Sequence, residues 1–181
     1  MSNTTPDSIL LSDALQNTLN NTFCICADGQ HISRSDVLAH ALALSEKLPE
    51  KHYAINLCQD RYLFIVAYLA VCLRQQISLL PPNQAPNTLK TLSDSHPNSY
   101  LISDQKGAAD FLVAHDLLEK STAPFPSIDI GRPLSISFSS GSTGTPKAIQ
   151  KTWREFQSSA QLALQRFELQ DQNITLISTV P

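Results

Sequence analysis

The residues whose types and spacing most suggest chemistry are Ser139–Lys147, SSGSTGTPK. Gly141 and Gly144 let the backbone take positive φ, so successive N–H groups can converge on one concavity. Ser139, Ser140, Ser142, Thr143 and Thr145 add hydroxyls able to donate to anionic oxygens. Lys147 adds a mobile point charge, suited to a phosphate chain that must be released after reaction. Pro146 narrows the backbone choices just ahead of it. The sum predicts a cradle for a polyphosphate.

Rival motifs fail on spacing. A Walker A loop needs glycine, four residues, then Gly-Lys-Ser/Thr. Counted from Gly141, Pro146 stands where that second glycine is required, and Ala148 follows Lys147. The nucleophile elbow G-x-S-x-G needs a serine with glycines two residues to each side, and none is present. Ser-x-x-Lys fails because Gly144 lies three residues before Lys147. A serine-rich amidase loop would want more glycine around its nucleophile and a partner lysine elsewhere. A serine-rich surface turn with an incidental lysine is the plain alternative. The strand entering the loop and the alternation upstream count against it.

The elements that position this loop can be read from the same sequence. Leu134–Phe138 predicts a strand running into it, and Ala148–Gln150 a return strand, which makes the loop the tip of a hairpin. A helix follows from about Trp153 to Leu169. Its Trp153, Phe156, Ala160, Ala163, Leu164 and Phe167 share one face, expected to be a packing face. Upstream, Tyr53–Leu57, Ile77–Leu80 and Tyr100–Ser103 read as strands, alternating with helices at Arg61–Arg74, Thr88–Ser95 and Ala108–Leu118. The predicted class is α/β, with β-α-β units, a mainly parallel sheet and helices on both faces. Such sheets bind ligands beyond the carboxyl ends of their strands.

Phe23–Ala27 and Gln30–Ile32, joined by Asp28-Gly29, predict a small hairpin. Ser33 or Ser35 then caps a helix carrying Val37, Leu38, Ala41, Leu42 and Leu44, which Leu48-Pro49 ends. Residues 9–20 read as a short helix and 1–8 as a flexible tail. Residues 121–133, with Pro124, Pro126 and Pro133, read as a connection before the loop. Ile174–Thr179 is expected to be a final strand. The 181 residues fit one domain, 1–181, read as incomplete because the chain stops at a strand edge.

Composition narrows the function classes. Apolar residues make up 42% and charged residues 16%, as in ordinary globular chains, so a core is feasible. The net charge of −3 offers no basic face for a phosphodiester backbone, which argues against nucleic acid. The longest apolar run, Leu63–Leu73, is too short for a membrane span and reads as a buried helix. Cys24, Cys26, Cys58 and Cys72 form no CxxC pair, and Cys24 and Cys26 with His31 match no common zinc spacing. No disulfide framework is implied, and with no signal-peptide pattern a reducing, cytoplasmic compartment fits. His31, His40, His52, His96 and His115 are scattered and read as structural. Asp60-Arg61 reads as a helix start, and no metal ligand is assigned.

The stretch Ile136–Lys147, ISFSSGSTGTPK, resembles the phosphate-loop signature of the adenylate-forming superfamily: acyl- and aryl-CoA synthetases, peptide-synthetase adenylation domains and luciferases. The order agrees at every signature position from Ile136 to Lys147. Asp60-Arg61 with the following apolar helix, ISLLPPNQAP and YLISD also resemble acyl-CoA synthetase-like AMP ligases. After the lysine this chain departs from the common pattern, with Ala148-Ile149 where many members have glycine and an apolar residue. The resemblance implies a carboxylic acid ligase. A carboxylate attacks the α-phosphate of ATP with Mg2+, and a thiol of CoA or an acyl carrier protein then takes the acyl group. It implies that Ser139–Thr145 and Lys147 hold the β- and γ-phosphates, with Thr143 and Lys147 the leading contacts.

The same resemblance implies later motifs that this sequence lacks: an aromatic-Gly-x-Thr-Glu stretch for magnesium, an aspartate for the ribose and a C-terminal lysine. The chain is therefore expected to be an N-terminal portion, inactive alone, with no catalytic residue of its own assigned. A stand-alone, truncated nucleotide-binding or interaction module is the other reading. Exposed apolar surface near the last strand is expected to drive self-association or pairing with a missing C-terminal part.

Overall fold

The computed structural model describes residues 8–10, 20–25, 29–107, 109–139 and 147–169. Strand β1 (Ser8–Leu10) comes first. Strands β2 (Thr22–Ile25) and β3 (His31–Ser33) pair antiparallel as the expected hairpin, with Cys24 opposite Ile32. Gly29, at φ +83°, supplies the left-handed turn residue, while Asp28 lies outside the described residues. Helix α1 (Arg34–Lys47) starts from Ser33 through a capping box. The Ser33 hydroxyl accepts from the Asp36 amide at 3.1 Å, and the Asp36 carboxylate accepts from the Ser33 amide at 3.2 Å.

The centre of the fold follows. Strand β4 (Tyr53–Asn56) leads into helix α2 (Arg61–Leu73), strand β5 (Ile77–Leu80), helix α3 (Pro86–Ser95) and strand β6 (Ser99–Ser103). Next come the two-residue strand β7 (Phe111–Leu112), a 3-10 turn at His115–Leu117 and strand β8 (Ser127–Asp129). Strands β9 (Pro133–Ser139) and β10 (Lys147–Thr152) precede helix α4 (Trp153–Arg166). The main sheet runs β10-β9-β5-β4-β6-β7. Every pairing in it is parallel except β9 with β10.

The alternation of side chains along β4 divides the core. Ala54 joins Tyr100 and Ile102 beneath α1 and α2, while Ile55 joins Ile77 and Leu79 beneath Leu89 and Leu92 of α3. Helices therefore cover both faces of a mainly parallel sheet, as the alternating pattern predicts. Helix α2 is the apolar run Leu63–Leu73, started by Asp60, whose carboxylate accepts from the Leu63 amide at 2.9 Å. Its Val66, Ala67, Ala70 and Val71 are fully buried. No described helix is long and apolar enough to cross a membrane.

Five expectations need correction. Ala108–Leu118 is not a helix. Phe111 and Leu112 pair with Ile102 and Ser103, and the Val113 amide donates to the Ser103 carbonyl at 2.9 Å. The open edge of β6 recruits this segment, overriding its helix-forming composition. Within 9–20, Ile9 and Leu10 belong to β1, whose partner is β8, with Ile9 opposite Ile128. Strand β1 also takes in Ser8 from the expected tail, and its partner β8 puts Ser127–Asp129 in a strand inside the expected connection 121–133. Finally, the stripe on α4, expected to be a packing face, is exposed among the described residues at Phe156, Leu164 and Phe167. Trp153 packs on the core, but α4 buries none of its residues. Residues 1–7 and the expected strand Ile174–Thr179 lie outside the described residues.

Candidate functional site

Strand β9 runs parallel to β5 and turns at the carboxyl edge of the sheet, where the antiparallel β10 returns beside it. Ser139 closes β9 and Lys147 opens β10, and these two stand opposite each other in the ladder. The chain between them therefore leaves and re-enters the sheet on one rung. Ser140, Gly141, Ser142, Thr143, Gly144 and Thr145 lie in that interval, outside the described residues. Behind it the Ser137 hydroxyl donates across the hairpin to the Ile149 carbonyl at 3.4 Å.

The adjacent carboxyl-edge loops are laced to one another by side chains. After β5, the Gln84 side-chain amide donates to the Leu57 carbonyl at 3.4 Å, joining that loop to the one after β4. Asn56, buried at the end of β4, donates to the Phe64 carbonyl at 3.0 Å and accepts from the Cys58 amide at 3.1 Å. The turn into α2 is thereby fixed. Asp104, just past β6, accepts from the Gln59 and Asp60 amides at 3.0 and 2.7 Å. The path from β4 leads to β5 on one side, and from β5 back across β4 to β6 on the other. This reversal is the switch point at which open α/β sheets form a crevice.

Charges at this edge are stabilised inside the protein. Burial pushes the Asp60 carboxyl up, but the Leu63 amide and His115 outweigh it and leave it below the usual range. Burial opposes ionisation of Asp104 as well, and the Asp60 and Gln59 amides together bring it below the usual range. His115 Nε2 stands 3.2 Å from Asp60, and its ring stacks on Tyr62, with 5.9 Å between centroids. Burial, with Asp104 and Asp60 adding to it, raises the Cys58 thiol to about 12, so this cysteine stays protonated and unreactive at neutral pH.

A magnesium ion does not fit these residues. Both Asp60 and Asp104 direct oxygens at backbone amides, and no group of three metal-ligating side chains gathers among the described residues. Cys24, opposite Ile32 on the hairpin, is a half-buried cysteine. The histidines make structural contacts: His40 Nδ1 meets the Tyr62 hydroxyl at 2.6 Å, and His96 lies edge-on to Tyr53 and Phe138. Sequence reasoning placed the loop's two anchors but missed the lacing by Asn56, Gln84 and Asp104. The available signal was positional for two of them: Asn56 ends β4 and Asp104 directly follows β6, whereas Gln84 lies farther along its loop.

No family model and no curated protein matches the chain. Solved structures do. O-succinylbenzoate coenzyme A synthetase (MenE) from Bacillus subtilis, in complex with AMP, superposes with a TM-score of 0.66 at 21% identity, over 93% of this chain and 47% of that one. The N-terminal subdomain of NpsA from Klebsiella oxytoca, with 3-hydroxybenzoyl-AMSN, gives 0.60 at 20% identity, over 79% and 40%. McyG A-PCP, with phenylalanyl-adenylate, gives 0.63 at 20% identity, over 88% and 31%. The chain thus spans less than half the length of each. Identity at this level speaks for the backbone architecture, and the chain has the N-terminal-domain fold of the adenylate-forming enzymes.

Proposed function

We propose that this chain is the N-terminal part of an ATP-dependent, AMP-forming carboxylic acid ligase, and that Ser139–Lys147 grips the β- and γ-phosphates of ATP. The supporting observation is the pairing of Ser139 with Lys147 at the carboxyl edge of a parallel sheet. Open α/β sheets bind ligands beyond the carboxyl ends of their strands, the edge at which these two residues face each other. A carboxylate attacks the α-phosphate, and pyrophosphate carries away the charge. The loop's amides and hydroxyls, with Lys147, neutralise that charge without forming bonds to it. A thiol of CoA or a carrier protein then takes the acyl group. The neighbours' named ligands are succinylbenzoyl, hydroxybenzoyl and phenylalanyl compounds, none of them a fatty acyl compound.

The magnesium ligand, the ribose contact and the α-phosphate lysine are expected in the remaining half of a full-length enzyme. Loss of even one preorganised charge-stabilising group costs about 10²–10³ in rate. The 181-residue chain should therefore bind ATP while catalysing pyrophosphate exchange only at background. Trp153, the chain's one tryptophan, adjoins β10 and provides a fluorescence reporter. Titration with ATP should saturate, and Lys147→Ala should weaken binding by about 1.5–3 kcal/mol, the range for a charge-assisted hydrogen bond. Affinity unchanged by that substitution would move the phosphate site elsewhere.

A further inference from the structure

The main sheet ends at β7, and no described strand pairs with its outer edge. After these two residues the chain folds back toward α1 through the 3-10 turn. This returning segment is held at both ends. The Val113 amide donates to the Ser103 carbonyl at 2.9 Å, and the Ser121 amide donates to the Ala39 carbonyl at 3.1 Å. Two ion pairs clip it to α1: Lys47 to Glu119 at 2.8 Å, and Lys120 to Asp36 at 2.6 Å. The turn between is tied to the start of α2 by His115, 3.2 Å from Asp60. Side chains do not fill the space so bounded. A cavity of about 250 Å³ remains between α1 and the segment, lined by Leu44, Phe111, Val113, Ala114, Leu117 and Leu118.

Its walls are fixed before any ligand arrives, as in most small-molecule sites. Leu44 and Val113 are buried and form the floor, whereas Leu117 and the charged residues Lys47, Asp116 and Glu119 are exposed and stand at the mouth. An apolar cavity of about 150 Å³ already accepts benzene, so this one has room for a phenyl ring with a short chain. Phe111 offers that ring an aromatic wall. The charges at the mouth select among such ligands. Lys47 and Glu119 neutralise each other, while Asp116 makes no hydrogen bond or ion pair among the described residues. The mouth therefore carries one uncompensated negative charge. A carboxylate or phosphate meets like charge there, and an ammonium meets a partner.

We propose that this cavity binds a small arylalkylammonium compound, its ring seated on Leu44 and Val113 and its ammonium group against the Asp116 carboxylate. The site lies at the opposite end of the sheet from Ser139–Lys147, and its charge is the wrong sign for a nucleotide. The inference is independent of the phosphate loop.

Calorimetric titration of the purified 181-residue chain with phenethylammonium at neutral pH tests it, with phenethyl alcohol and phenylacetate as neutral and anionic counterparts. Saturable one-to-one binding is expected, with a Kd of about 1 mM or tighter for so small a ligand. The alcohol should bind about threefold more weakly and phenylacetate about tenfold more weakly, in keeping with one exposed charge contact. Asp116→Asn should remove this preference while the alcohol binds as before. Ala114→Phe, which fills the cavity, should abolish binding of all three and leave the circular dichroism spectrum unchanged. Absence of saturation with phenethylammonium overturns the proposal. So does a preference for it that survives Asp116→Asn, phenylacetate binding equal to it in the parent chain, or undiminished binding by a folded Ala114→Phe chain.

Discussion

In the β4–α2–β5 unit, Ala54, Ile55, Val66, Ala67, Ala70, Val71 and Leu79 are fully buried. At the other end of the sheet, Lys147, Ala148, Ile149 and Gln150 of β10 are exposed, and α4 buries no residue. Both ends are strands joined to a capped helix. They differ in what surrounds them: the centre has α1 and α2 on one face and α3 on the other, while the outer edge of β10 pairs with no described strand. Strand β9 stands between, held by β5 on one side and by exposed β10 on the other. The candidate phosphate loop therefore hangs from the boundary between a dense framework and a lightly covered margin. Such a boundary leaves β9 more firmly held on one side than on the other.

The contrast can be broken most severely at the centre. Leu79→Ala should lower unfolding free energy by about 2–5 kcal/mol in urea titrations, because no exposed space allows the site to collapse. A loss under 1 kcal/mol would mean that the centre is as loosely held as the margin.

An intermediate effect is expected where α1 meets the segment after the 3-10 turn. Lys120, whose ammonium is 2.6 Å from Asp36, and the Ser33 hydroxyl hold that carboxyl down at about 2, against an ordinary 3.8. A depressed folded-state value stabilises the fold above pH ~4, and the contribution disappears as pH falls from about 4 to 2. Discounted for partial exposure, it amounts to about 1 kcal/mol. Asp36→Asn should accordingly lose less stability than the parent between pH 4 and 2, as read by urea midpoints. Parallel pH profiles for the two proteins would refute the pairing.

The smallest effect belongs to α4. Leu162 is 65% exposed and lies off the apolar stripe, so Leu162→Ala should change stability by no more than about 0.5 kcal/mol. A loss above 1 kcal/mol would show the helix to be covered after all.

Local signals made part of this legible in the sequence. The eleven-residue run Leu63–Leu73 and the strands around it specify the central β-α-β unit, and Asp60 and Ser33 mark the two helix starts. The loop's anchors were equally plain. Misreadings arose where a distant partner decides the outcome. Phe111-Leu112 is a strand because β6 offers an open edge, and Ile9-Leu10 is one because β8 lies beside it more than a hundred residues later. Periodicity located the stripe on α4 without revealing whether anything lies over it. Asp104 entered the reading only as the last residue of YLISD, just past a strand. Its two amide partners come from a loop over forty residues earlier, a separation that no spacing rule covers.

The single rung shared by Ser139 and Lys147 also fixes a length. A chain that leaves and returns at one point can rise only half its contour, so the seven intervening residues reach about 12 Å above the sheet at most. Whatever they hold must come down to that height. On the proposed reading, an anion gripped by these residues therefore settles within about that distance of the sheet.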